Sequence, residues 1–134
     1  MNRLGLIALI ALVGLVPSAI ASETEEFTWD IDGDGKETAL TDGLLVIRYL
    51  FGFTDQALVQ DAVDTSATRS TPADIKAYLD AYAADLDVDG NGTNSALTDG
   101  LLIIRYLFGF NGSSLVQNAV AADGERTSAA DISV

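Results

Sequence analysis

The chain of 134 residues contains no cysteine and no histidine. Those two absences exclude disulfide staples, thiol and imidazole nucleophiles, Cys/His zinc sites, Ser-His-Asp triads and axial haem histidines. Basic side chains are scarce as well: 7 Lys and Arg stand against 20 Asp and Glu, a formal charge of −13. That balance argues against nucleic acid and anionic membrane surfaces, both of which need an excess of Lys and Arg. What the chain has in quantity is carboxylate oxygen, a donor suited to hard cations. Its length allows one compact domain or two very small ones.

The long hydrophobic run is confined to the start. Arg3 is followed by an apolar stretch from Leu4 to Val16 and then by Ala19-Ile20-Ala21, a small-x-small exit. The pattern predicts a secretory signal peptide over residues 1–21. The apolar core is short for a membrane anchor, and no cysteine follows it to carry a lipid. Cleavage removes Arg3 and leaves 20 acids against 6 bases, a charge of −14. The expectation is therefore a secreted chain with no membrane association after cleavage.

The rest of the sequence repeats itself. Asp30–Ala77 aligns without a gap on Asp87–Val134 at an offset of 57, with 27 of 48 pairs identical. The organisation expected is a lead-in over 22–29, a first unit over 30–86 and a second, shorter unit over 87–134. The second unit ends where the first continues into Tyr78-Leu79. A frayed end is one reading of that difference. A groove open to an amphipathic helix of another chain is the other.

Periodicity predicts an all-α fold of two tandem loop-helix repeats. A long helix begins near Thr41 (Thr98), with Thr41 as its cap, and stops at Gly52 (Gly109), a plausible left-handed cap. It is apolar nearly all round, which predicts burial. Arg48 and Arg105 interrupt it and are expected to snorkel or to pair with a carboxylate. A short helical turn follows near Leu58–Val63. Thr71-Pro72-Ala73-Asp74 then reads as cap, first position and capping box of another helix, with Ile75, Tyr78, Leu79 and Tyr82 as its apolar stripe. Ser128-Ala129-Ala130-Asp131 repeats the cap.

The chemistry precedes each long helix. Asp30-Ile31-Asp32-Gly33-Asp34-Gly35-Lys36 and Asp87-Val88-Asp89-Gly90-Asn91-Gly92-Thr93 both match the opening of the loop pattern D-x-[DN]-x-[DN]-G. Alternate residues of a tightly turning loop converge their oxygens, and the glycine at position 6 permits the bend. The backbone carbonyl at position 7, of Lys36 or Thr93, adds a further oxygen. The closing acid is Asp42 (Asp99), at position 13 rather than the usual 12. The spacing thus predicts two Ca²⁺ sites: Asp30, Asp32, Asp34, Lys36 and Asp42, and Asp87, Asp89, Asn91, Thr93 and Asp99. An Asp/Gly turn followed by a helix cap would share part of this pattern. Its duplication with the same downstream acid favours the ion.

Asp-x-Asp-x-Asp-Gly followed by a helix bearing Arg-Tyr-Leu-x-Gly resembles the calcium loop and helix of dockerin modules. The residues concerned are Asp30, Asp32, Asp34, Gly35, Asp42, Arg48, Tyr49, Leu50 and Gly52 and their counterparts 57 positions on. The resemblance spans about 24 residues of each unit. It implies calcium ligation, no enzymatic activity, and assembly with a cohesin-like or other surface domain, as in extracellular polysaccharide degradation. The chain departs from the family in its position-13 acid and in the 57-residue spacing of its loops. It also has Ala39 and Leu40 where recognition hydroxyls stand, and Ile47 (Ile104) where Lys often precedes the Arg. A calcium-stabilised spacer with no specific partner is the alternative.

The second half of each unit could be a decayed loop of the same kind. Its ligand positions differ between copies and give no metal site. Arg69 and Arg126 do match: a guanidinium in place of a cation, bonding loop carbonyls or acids, is one reading of them, a surface Arg the other.

Overall fold

The computed structural model describes residues 25–132. The expected signal segment 1–21 lies outside these residues. Among the described residues there are five α-helices and no strand, which agrees with the all-α expectation. They are α1 (Leu44–Leu50), α2 (Asp55–Val59), α3 (Pro72–Ala81), α4 (Leu101–Leu107) and α5 (Ser113–Val116). A 3₁₀ turn, Ala83–Leu86, joins the two units. No described helix is long and apolar enough to cross a membrane.

The entry to the long helix differs from expectation. A wide π turn, Ala39–Gly43, leads into α1, and its twin, Ala96–Gly100, leads into α4. The amides of Gly43 and Gly100 reach back five residues to the Thr38 and Ser95 carbonyls, at 3.1 and 3.0 Å. Thr41 is therefore not the cap. It lies inside the turn, its hydroxyl bonded to that of Thr38 and donating to Asp42 Oδ2. The wide turn absorbs the extra residue that placed the closing acid at position 13.

At the other end of α1 the sequence signal holds. Gly52 has φ +88°, its amide bonds Tyr49 O, and the Phe53 amide bonds Arg48 O, completing a left-handed helix stop that recurs at Gly109. α3 is capped as expected: Thr71 Oγ1 accepts from the Asp74 amide at 3.1 Å, Pro72 is the first residue, and Ile75, Tyr78 and Leu79 are buried.

One hydrophobic core runs through both units. It includes Leu45 and Val46 of α1, Leu102 and Ile103 of α4, Ile75 and Leu79 of α3, and Ile31 and Val88 from the acidic loops. The helix pair α1 and α4 meets across Gly43 and Gly100. A Cβ on Gly43 would lie 3.0 Å from Ile104 Cγ1, and one on Gly100 3.1 Å from Ile47 Cγ1. The glycines after Asp42 and Asp99 thus serve the close approach of the helices.

The lead-in belongs to this core. Phe27 packs edge-on to Trp29 (4.7 Å between centroids) and stacks on Tyr78 (5.9 Å), and the Thr28 amide donates to Tyr78 Oη at 3.0 Å. Arg48 meets no carboxylate among the described residues. Its Nη1 donates to the Leu58 and Gln60 carbonyls at 3.2 and 2.8 Å and so caps the end of α2. Arg105 does the same to Leu115 and Gln117.

Candidate metal centres

Each acidic loop is built by its own side chains. Asp30 Oδ1 and Oδ2 accept from the amides of Asp34 (3.0 Å) and Gly35 (2.8 Å). Asp87 accepts from those of Asn91 (3.1 Å) and Gly92 (2.8 Å). These bonds curl the chain around its first carboxylate. Between the acids, Ile31 and Val88 point into the core, 0% and 1% exposed. Burying such a side chain stabilises by about 1.5–3 kcal/mol and anchors the loop to the helices.

The closing acid joins the two ends of the loop. Asp42 Oδ1 accepts from the amides of Ile31 (2.6 Å) and Asp32 (3.2 Å), and Oδ2 from that of Thr38 (2.7 Å). Asp99 accepts from Asp89 (3.1 Å) and Ser95 (2.9 Å). The result is two triads, Asp30–Asp32–Asp42 and Asp87–Asp89–Asp99. Within each, one oxygen per carboxylate lies within 4.8 Å of the others. Asp32, Asp42, Asp89 and Asp99 are all 0% exposed. Each triad can hold a metal ion.

The position-5 residues make bonds of their own. Asp34 is outside the triad, and its Oδ1 accepts from the Lys36 amide at 2.8 Å. Asn91 Oδ1 accepts from the Thr93 amide at 2.9 Å, and its Nδ2 donates to Asp123 at 3.0 Å. Lys36 and Thr93 are thereby held in the turn by their amides.

Electrostatics favour a compensating charge or a proton at each triad. Two unit charges 4.8 Å apart repel by about 3 kcal/mol at an effective dielectric of 20. Burial pushes Asp42 up to about 6 against the opposing pull of its amide bonds, with the Asp32 charge adding to the rise. Burial likewise raises Asp99 and Asp32, helped by the neighbouring aspartates. The donor set fits a hard cation: every converging atom is a carboxylate oxygen. A second observation points the same way. Asp89 Oδ1 is buried and has no hydrogen-bond partner among the described residues, an arrangement that costs energy unless a cation meets it.

The chain matches no family model, no curated protein and no solved structure. The dockerin resemblance therefore rests on the motif residues alone. Arg69 and Arg126 are the residues near the centres whose part was least defined by sequence. Both guanidinium groups reach the acidic loops, and Arg69 also lies 4.0 Å above the Tyr78 ring.

Proposed function

We propose that the chain is a secreted calcium-binding module with two ion sites, non-catalytic and dockerin-like, that assembles with a protein partner when calcium is bound. The observation that carries the reading is the pair of buried Asp triads, one of them with an unpartnered carboxylate oxygen. Calcium is favoured over magnesium because it accepts many oxygens at flexible angles, whereas magnesium demands near-ideal octahedral geometry. Asp30, Asp32 and Asp42, and Asp87, Asp89 and Asp99, would hold the ions. Asp34, Asn91 and the Lys36 and Thr93 carbonyls would complete the shells, as in an EF-hand-type loop. The extracellular setting rests on the 1–21 signal pattern.

The partner reading has its own support. Leu40, Phe51 and Phe53 of the first unit and Leu97, Phe108 and Phe110 of the second are exposed by 46–67%, the same positions in both copies. Gathered into one patch, exposed apolar side chains mark an interaction surface. The spacer alternative draws on the amide bonds of Asp42 and Asp99, which give the sites a purely structural use.

Calorimetry with calcium, and magnesium as the control, tests the ion. Two calcium ions per chain are expected, and free calcium at 100 times the dissociation constant adds about 2.7 kcal/mol per site. No binding heat, together with a melting temperature and circular dichroism spectrum unchanged by EDTA, would refute the reading. Calcium-dependent capture from a secreted fraction, lost on Phe51→Ser with Phe108→Ser, separates partner from spacer.

A further inference from the structure

The loop opening the second half of each unit grips the acidic loop by the same bonds in both copies. Arg69 Nε and Nη2 donate to the Ile31 and Asp30 carbonyls at 2.8 and 2.6 Å. Arg126 Nε and Nη2 donate to the Val88 and Asp87 carbonyls at 2.7 and 2.6 Å. The amides of Arg69 and Arg126 bond the Asp32 and Asp89 carbonyls, at 2.8 and 2.9 Å. One arginine per unit thus spans the backbone from position 1 to position 3, the stretch that carries the first two carboxylates. The same loops also hold the position-3 carboxylate. The Asp64 amide donates to Asp32 Oδ2 at 2.8 Å, and the Ala121 amide to Asp89 Oδ2 at 2.9 Å.

Sequence around the two arginines differs. Asp64-Thr65-Ser66-Ala67-Thr68 precedes one and Ala121-Ala122-Asp123-Gly124-Glu125 the other. What the copies share is the arginine and its bonds. The bonds require a planar fork that reaches two adjacent carbonyls, which an ammonium does not supply. The Arg69 side chain is 20% exposed, is covered by Tyr78 on one face, and meets Glu25 at 3.3 Å.

We propose that Arg69 and Arg126 are positioning residues for the two metal loops, each fixing the backbone so that the carboxylates converge before an ion arrives. The inference rests on the calcium reading above. Holding a loop in its bound conformation lowers the ordering cost of binding. Groups that orient metal ligands in this way typically change affinity by about 10–100-fold when removed.

Terbium, a luminescent probe for calcium sites, tests it. Trp29 is the single tryptophan, adjoins Asp30, and is replaced by Leu86 before the second loop, so tryptophan-sensitised emission reports the first site. Arg69→Lys and Arg69→Ala should weaken terbium binding there at least about tenfold, with calcium displacing the probe. Arg126→Lys should leave the first site unchanged. Circular dichroism in chelator should show Arg69→Lys as helical as wild type, so its weakening is not unfolding. Wild-type affinity in both Arg69 variants, or tighter binding in Arg69→Ala from removal of a repelling charge, overturns the clamp and leaves the calcium reading standing. Failure of the wild-type chain to bind terbium or calcium overturns both.

Discussion

In the first acidic loop, Asp32 has an amide partner for each oxygen, from Asp34 and Asp64. In the second, Asp89 has one for Oδ2 alone, and Oδ1 is buried without any. The closing acids differ in the same sense: Asp42 holds three backbone amides and Asp99 two. The first site is the better knit without an ion, and the second leaves more for an ion to satisfy. Segments identical at 8 of 13 positions, 30–42 and 87–99, have thus produced two sites with one chemistry and different degrees of self-sufficiency.

The largest expected effect comes from the closing acid. With calcium near 100 times its dissociation constant, Asp42→Ala removes the ion's contribution of about 2.7 kcal/mol. It also orphans three amides, two of them in buried bonds, at about 1–3 kcal/mol for a buried one. Urea unfolding should show a loss of about 5–9 kcal/mol on these figures. Asp99→Ala, with one buried amide fewer, should cost about 1–3 kcal/mol less. In chelator both losses should shrink, because the cost of burying a carboxylate disappears with it. A larger effect of Asp99→Ala would reverse the comparison.

The second test is pH. Asp42 titrates at about 6 in the folded chain against an ordinary 3.8. Between those values the folded state binds the proton that the unfolded state releases, so metal-free stability should rise as pH falls from 7 through 6 toward 4. Asp99 and Asp32 are shifted in the same direction by burial. With calcium bound the trend should invert, since protons compete with the ion for the same oxygens. Melting temperatures across this range, in EDTA and in calcium, read both slopes. Asp42→Asn should flatten the chelator slope, because it removes the group that burial pushes up to about 6.

A smaller effect concerns position 5. The first loop has Asp34 where the second has Asn91, and an added carboxylate generally tightens calcium binding, so the first site should be the tighter. Asp34→Asn should weaken it roughly tenfold, a modest step on the scale over which ligand charge tunes such loops. Asn91→Asp should gain less at the second site, because it sets a like charge where Asn91 now donates to Asp123 at 3.0 Å. Equal affinities in the wild-type chain, measured by calorimetry on Asp30→Ala and Asp87→Ala, would remove the basis for this order.

The acidic loops, the left-handed stop at Gly52 and the Thr71 cap were legible because each is written in residues a few positions apart. Position 13 of the closing acid was legible as an anomaly, but the wide turn that absorbs it has no side-chain signature in Ala39-Leu40-Thr41-Asp42-Gly43. For Arg69 and Arg126 the kind of target, loop carbonyls, was legible, but which carbonyls they and Arg48 reach was not, since every residue has one. The lead-in escaped for another reason: Thr28 meets its partner Tyr78 across 50 residues of sequence. Asp34, read as an equal ligand, stands outside the converging triad because its Oδ1 closes the turn on Lys36.

The smallest effect lies where the two units diverge most. Thr71 and Ser128 cap equivalent turns with equivalent bonds, 3.1 and 3.2 Å from the amides of Asp74 and Asp131. Thr71 opens a helix of ten residues that buries Ile75, Tyr78 and Leu79 and supports the aromatic cluster with Phe27. Ser128 opens a single turn among the described residues, with Ile132 as its buried anchor. Removing a cap typically costs about 1 kcal/mol, and the cost is felt in full only when the turn it nucleates is coupled to the core. Thr71→Ala should therefore lower stability by about 1 kcal/mol in urea, while Ser128→Ala stays within about 0.5 kcal/mol, as surface changes do. Equal losses would mean that the second cap is coupled to the core as tightly as the first.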